Sequence, residues 1–124
     1  MKIQERVEGS IKILNISGRI DSRTAREFET RLKSAISDMS PHLLLDMKDV
    51  EYITSAGMRV LASAYKAVSK FEGGDIVIAN LREDLVRLFR LIGFDGLFTL
   101  YDDIETALRG MRSAAGQQDA DGVD

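Results

Sequence analysis

The spacing of apolar residues changes repeatedly along this chain, from every second position to helical spacing and back, and that alternation leaves few folds open. Ile3 to Val7 and Ile11 to Ile16 are short β-rich runs separated by Glu8-Gly9-Ser10, which predicts a hairpin with Gly9 at the tight position. Thr24-Ala25-Arg26-Glu27 matches a capping box, after which Phe28, Leu32, Ala35, Ile36 and Met39 recur at helical spacing until Pro41. Leu43-Leu44-Leu45 is a continuous apolar run ending at Asp46, as expected of a central strand buried on both faces. Met58, Leu61, Ala62, Tyr65 and Val68 form a second helical stripe closed near Gly73-Gly74, and Ile76 to Ala79 form another buried strand. Asn80-Leu81-Arg82-Glu83 is a second capping-box match, opening a helix with Leu85, Leu88, Phe89 and Ile92 inward and Gly93 as its stop. Leu97 to Leu100 supply the last strand, and a helix from Asp102 turns Ile104, Ala107, Leu108 and Met111 inward, with Arg109 and Arg112 where its dipole favours cations.

The order β-β-α-β-α-β-α-β-α predicts an α/β fold with a mixed, mostly parallel sheet, because each strand-helix-strand step favours a right-handed crossover and only the first strand is antiparallel. Residues 1–112 form one domain in this reading. From Ser113 to Asp124 the chain is small, polar and acidic, with Val123 as its one sizeable apolar group, so residues 113–124 are expected to be a disordered acidic tail.

Composition removes whole classes of function. With 124 residues the chain fits one ordinary domain, and with no cysteine it has no disulfide framework or thiolate metal site, which fits a reducing cytoplasmic setting. Charges interrupt the N-terminal segment where a signal peptide needs an apolar run, and no stretch approaches the roughly 20 apolar residues of a membrane span. A soluble protein without membrane insertion is expected, monomeric when free. The net charge is −3, with Asp119, Asp121 and Asp124 close to the end, so the body is near neutral and exerts no general pull on nucleic acid.

Familiar catalytic arrangements are missing from the sequence. His42, the single histidine, stands beside Pro41 and is read as a turn residue, since one imidazole without cysteine partners makes neither a zinc site nor a triad. No phosphate-binding glycine loop occurs. Asp46, Asp49, Glu51 and Asp75 are read as solvated carboxylates at strand ends and turns, so no metal is expected. Arg82, Arg87 and Arg90 mix with Glu83 and Asp84 as a solvated helix face.

The segment from Asp46 to Leu61 stands apart. There a buried strand leads through a short turn into a helix beginning near Thr54, with Ile53 and Met58 at the spacing of a hydrophobic staple. If Thr54 is the N-cap, Ser55 holds the first helical position and its hydroxyl points to solvent. The other reading makes Ser55 itself the cap, contributing about 1 kcal/mol. Gly57 within the helix costs roughly 0.5 to 1 kcal/mol relative to alanine, and either a closely approaching partner or close packing on the sheet offsets it.

Asp46 through Leu61, with Gly18-Arg19-Ile20-Asp21 upstream, resembles the STAS domain of bacterial anti-sigma factor antagonists, and the order of elements agrees from residue 2 to about 112. What the resemblance implies is a STAS-like domain, not an enzyme, that works by partner switching. The antagonist binds an anti-sigma factor that is also a serine kinase, frees the sigma factor, and is released on phosphorylation; a serine phosphatase resets it. Ser55 of Ser55-Ala56-Gly57 matches the phosphoacceptor, and Asp21, Thr54, Ser55, Ala56, Gly57, Met58 and Arg59 fall in the partner-binding region. Magnesium and ATP belong to the partner, so no cofactor is expected on this chain. Many members carry aspartate immediately before the serine, where this chain has Thr54, a change in local charge that bears on kinase recognition. The alternatives are a constitutive STAS scaffold or transporter-accessory subunit that is never phosphorylated and, behind it, a nucleotide-binding α/β enzyme using the strand-to-helix turns.

Overall fold

The computed structural model describes residues 1–37, 39 and 41–123, with side chains described through Ser113. In chain order the elements are β1 (Lys2–Glu8), β2 (Ile11–Ile20), α1 (Ala25–Ala35), β3 (His42–Ile53), α2 (Ser55–Val68), β4 (Asp75–Ala79), α3 (Glu83–Leu91), a 3-10 turn (Phe94–Gly96), β5 (Thr99–Tyr101) and α4 (Ile104–Val123). The strands lie side by side as β1-β2-β3-β4-β5. β1 is antiparallel to β2, joined by a tight turn at Gly9, whose φ of 61° explains the glycine. All other neighbours are parallel, as the crossover rule requires.

The Leu43-Leu44-Leu45 run lies in the middle strand and feeds both layers. Leu43, Leu45 and Met47 join Phe28, Leu32, Leu61, Phe89 and Phe98 in a core beneath α1, α2 and α3. Leu44 faces the other way, joining Ile11, Ile13 and Val77 under Ala107, Leu108 and Met111 of α4. Three helices thus cover one face and a single helix the other. Leu32 is fully buried, and truncating such a leucine to alanine costs about 2 to 5 kcal/mol. The two edge strands are poor templates for further pairing: β1 exposes Lys2, Glu5 and Arg6, and β5 is three residues long.

Several local expectations are corrected. α1 ends at Ala35, where Ile36 turns to extended backbone, and Met39 is 85% exposed instead of facing inward. The following residues carry the chain back to β3, which begins opposite Ile11. Neither capping box forms. Thr24 accepts a hydrogen bond from the Asp21 amide (3.0 Å) and donates to the Arg19 carbonyl (3.0 Å), closing a loop instead of capping α1. Asn80 adopts a left-handed backbone (φ 61°), and α3 starts three residues later at Glu83, with Arg82 at its N-cap position. At the end of α3 Leu85 and Phe89 are buried, while Ile92 is exposed and Gly93 makes the stop at φ 82°. The last strand lies at Thr99–Tyr101, displaced by the 3-10 turn before it. His42 opens β3 with Nδ1 at 2.7 Å from Asp75 Oδ1, a cross-strand pair and not a turn residue. α4 is helical over Ile104–Val123, while the side chains from 114 onward, and Asp124 altogether, lie outside the described residues, and the expected acidic tail of residues 113–124 falls largely there.

Candidate functional site

β2 and β3 run parallel and finish together, with Ile20 paired to Ile53. The chain therefore leaves the sheet twice at neighbouring points, once into the loop that begins with Asp21 and once into Thr54-Ser55. A hydrogen bond from the Thr54 amide to the Ile20 carbonyl (2.9 Å) joins the two exits. In the loop, Asp21 Oδ1 accepts from the amides of Arg23 (2.9 Å) and Thr24 (3.3 Å), the side-chain turn that short acidic residues favour. Oδ2 of Asp21 has no protein donor among the described residues, so the half-buried carboxylate organises the loop with one oxygen and keeps the other available.

Across from this loop, Thr54 is the N-cap of α2 by position, extended at φ −90° and ψ 175°. Its hydroxyl does not cap the helix, however; it leans toward the Ile20 carbonyl at 3.4 Å. Ser55 is the first helical residue and is exposed, so the reading in which it caps the helix is set aside. Among the described residues, the amides of Ser55, Ala56 and Gly57 donate to no protein acceptor, which leaves the positive end of the helix dipole open at the Ser55 hydroxyl.

Gly57 resolves the two explanations of its cost. A β-carbon there would stand 2.7 Å from Ile20 Cγ2 and 2.8 Å from Ile53 Cγ2, so its absence lets α2 settle onto the ends of β2 and β3. Gly57 and Met58 are both buried, and Met58 shares a core with Ile53 as the staple spacing predicts. Of the seven residues in the expected partner-binding region, Ser55 and Arg59 are exposed, Asp21, Thr54 and Ala56 are half-buried, and Gly57 and Met58 face inward as support.

Two arrangements escape sequence reasoning. The Arg19 guanidinium lies over the Tyr52 ring, 5.3 Å from its centre, at paired positions of β2 and β3 just before both exits, and Tyr52 is 49% exposed. The other is Asp46, expected to be solvated at a strand end. β3 instead continues to Ile53, leaving Asp46 only 4% exposed, with hydrogen bonds from Asn15 Nδ2 (3.1 Å), Asn80 Nδ2 (3.1 Å) and the Lys48 amide (3.2 Å). This network ties together β2, β3 and the end of β4, and accounts for the left-handed Asn80. A cavity of about 690 Å³ beside it, lined by Arg6, Asn15, Asp46, Lys48 and Ile104 among others, includes neither Asp21 nor Ser55.

A family model described as STAS domain matches residues 2–107. The anti-sigma-B factor antagonist of Bacillus subtilis is 32% identical over 93 residues, spanning 75% of this chain and 83% of that protein. The anti-sigma-F factor antagonist RsfB of Mycobacterium tuberculosis is 28% identical over 103 residues, 82% of each chain. Among solved structures, an anti-sigma factor antagonist from Mycobacterium paratuberculosis superposes with a TM-score of 0.80 at 26% identity, covering 90% of this chain and 93% of its own. No helix among the described residues is long and apolar enough to cross a membrane. The chain belongs to the STAS domain family, alongside relatives that carry the name anti-sigma factor antagonist.

Proposed function

We propose that this chain is a non-enzymatic anti-sigma factor antagonist that presents the Asp21 loop and the start of α2 to an anti-sigma factor, and that phosphorylation of Ser55 by that partner releases it. The observation that carries the reading is the exposed Ser55 hydroxyl at a helix start with unpaired amides, held next to Asp21 by the Thr54–Ile20 hydrogen bond. In the proposed step Ser55 Oγ bonds to the γ-phosphorus of ATP held by the partner, ADP departs, and the hydroxyl proton passes to a base on the partner. A serine phosphatase reverses the state by hydrolysis, returning the hydroxyl and inorganic phosphate.

The physical asymmetry lies in where the new charge falls. Phosphoserine carries about −1.5 to −2 charges at neutral pH, and a helix N-terminus accepts that charge readily. Thr54 puts no carboxylate at the position immediately before Ser55 in the chain, which leaves Asp21 as the acidic group nearby. At an interface built around a neutral hydroxyl, the same group brings bulk and a desolvation cost, and each 1.4 kcal/mol lost weakens binding about tenfold.

The test is incubation with serine-kinase anti-sigma factors, magnesium and ATP, followed by mass mapping. One phosphate, on Ser55, is expected. A chain that forms the complex but stays unmodified, both there and as isolated from cells, would instead be a constitutive scaffold.

A further inference from the structure

The chain as a whole is acidic, yet the end that carries Ser55 gathers guanidinium groups. Arg19 stands at the end of β2, Arg23 in the Asp21 loop, Arg26 in the first turn of α1, and Arg59 one helical turn beyond Ser55. All four are exposed, and none has a carboxylate within ion-pair distance among the described residues. The acidic groups at this end are Asp21, Glu27 and Glu51, and Asp21 already has one oxygen occupied by backbone amides. Elsewhere Arg112 meets Glu8 at 2.9 Å and Arg82 meets Asp84 at 3.8 Å, while Arg6, Arg87, Arg90 and Arg109 are likewise exposed without an ion pair among the described residues, so what sets the four apart is their position around Ser55.

We propose that Arg19, Arg23, Arg26 and Arg59 form a cationic rim that docks an acidic surface of the partner, and that a phosphate on Ser55 ends the docking by occupying that rim from within. The inference rests on Ser55 being the modified residue and adds what the partner's face must be and how the modification acts on it. Guanidinium forks match carboxylates in bidentate geometry, and arginine with an exposed aromatic such as Tyr52 is the composition from which interfaces draw their strongest contacts. Arg59, four residues after Ser55 on the same helix face, is within reach of a phosphate there. Such a phosphate offsets about two of the four positive charges, and the rim loses its attraction for an acidic surface without any change of fold.

The test uses the full chain with phosphoserine placed at position 55 during synthesis, so no kinase is required, and oligoglutamate as the probe at low ionic strength. In the unmodified protein, amide NMR shifts should move around Arg19–Arg26 and Thr54–Arg59, Ser55→Ala should behave alike, and phosphoserine 55 should weaken binding by about tenfold or more. The phosphate itself is the second readout. Its second pKa should lie below about 6 and rise in Arg59→Gln or Arg23→Gln, which leave the helix terminus intact and so isolate the rim from the dipole. Binding centred on Arg87 and Arg90 of α3, equal affinity with and without the phosphate, or a phosphate titration indifferent to both arginine variants would each overturn the rim. Failure of every kinase to modify Ser55 would defeat the proposed function while leaving these results as they stand.

Discussion

The Thr54 amide donates to the Ile20 carbonyl at 2.9 Å, and through that contact the residue before Ser55 is fixed to the residue before Asp21. Two segments more than thirty positions apart become one surface because parallel strands end at the same edge of a sheet. The variants below separate what this surface does from what keeps it in place.

Ser55→Ala should retain binding to the anti-sigma factor and lose phosphate-dependent release, whereas Ser55→Asp should weaken the complex while the circular-dichroism melt stays nearly unchanged. The side chain is exposed and caps nothing, so neither change removes a native contact. Isothermal titration with the partner checks this, and equal affinities for the two variants would refute the switch.

Asp21 supports two different tests. Asp21→Ala removes the acceptor for the Arg23 and Thr24 amides and should cost about 0.5 to 1.5 kcal/mol in urea unfolding. Asp21→Asn keeps an oxygen for the loop amides and should leave stability close to wild type, yet weaken the partner complex by turning the free Oδ2 acceptor into a donor, a single local contact within the partner's otherwise acidic face. Full binding by Asp21→Asn would confine the carboxylate to holding the loop.

Gly57→Ala should destabilise the domain by about 1 to 3 kcal/mol, because the added methyl meets Ile20 and Ile53 well inside contact distance. A thermal melt reads the loss, and partner affinity should fall with it as the start of α2 lifts off the strand ends.

Asp46→Ala should cost about 1 to 3 kcal/mol by leaving the Asn80 side-chain amide and the Lys48 N–H without their acceptor, while Asn15 keeps Asp49 Oδ2 at 3.3 Å. Hydrogen exchange should quicken where β2, β3 and β4 are tied together. An unaltered unfolding curve would mean that the network contributes no net stability.

Asp103 gives a pH dependence. Hydrogen bonds from Thr106, chiefly its amide at 2.7 Å, hold the Asp103 carboxyl below its ordinary range, with desolvation opposing and Arg109 adding slightly. A depressed folded pKa means that the group's contribution is fully present above the ordinary carboxylate pKa and is lost as pH falls through the folded value. Asp103→Ala should therefore lower stability at neutral pH, and its difference from wild type should shrink in acid. A difference that is constant across an acid titration would contradict the assignment.

The order of elements is legible in the sequence because apolar spacing reports which side of a residue meets the core, and each run of Ile, Leu and Val reports it independently. The helix start beside Ser55 is legible for a similar reason, since Ile53 and Met58 bracket it at staple spacing and both are buried, whereas the role of Ser55 comes from the family resemblance and not from the spacing. Polar roles are harder to read, since they depend on what the fold brings near. Thr24 and Asn80 satisfy a capping pattern, but tertiary partners at Arg19, Asp21 and Asp46 take their side chains instead. Asp46 looked solvated because its burial follows from β3 continuing past it, and Arg19 and Tyr52 gave no local signal because they meet only across strand register.

The sheet's two margins carry a consequence for behaviour at high concentration. Charged side chains along β1 and the brevity of β5 deny a second molecule the backbone length from which fibrous stacks grow. Crowded copies of this domain should therefore resist growing into one another strand by strand.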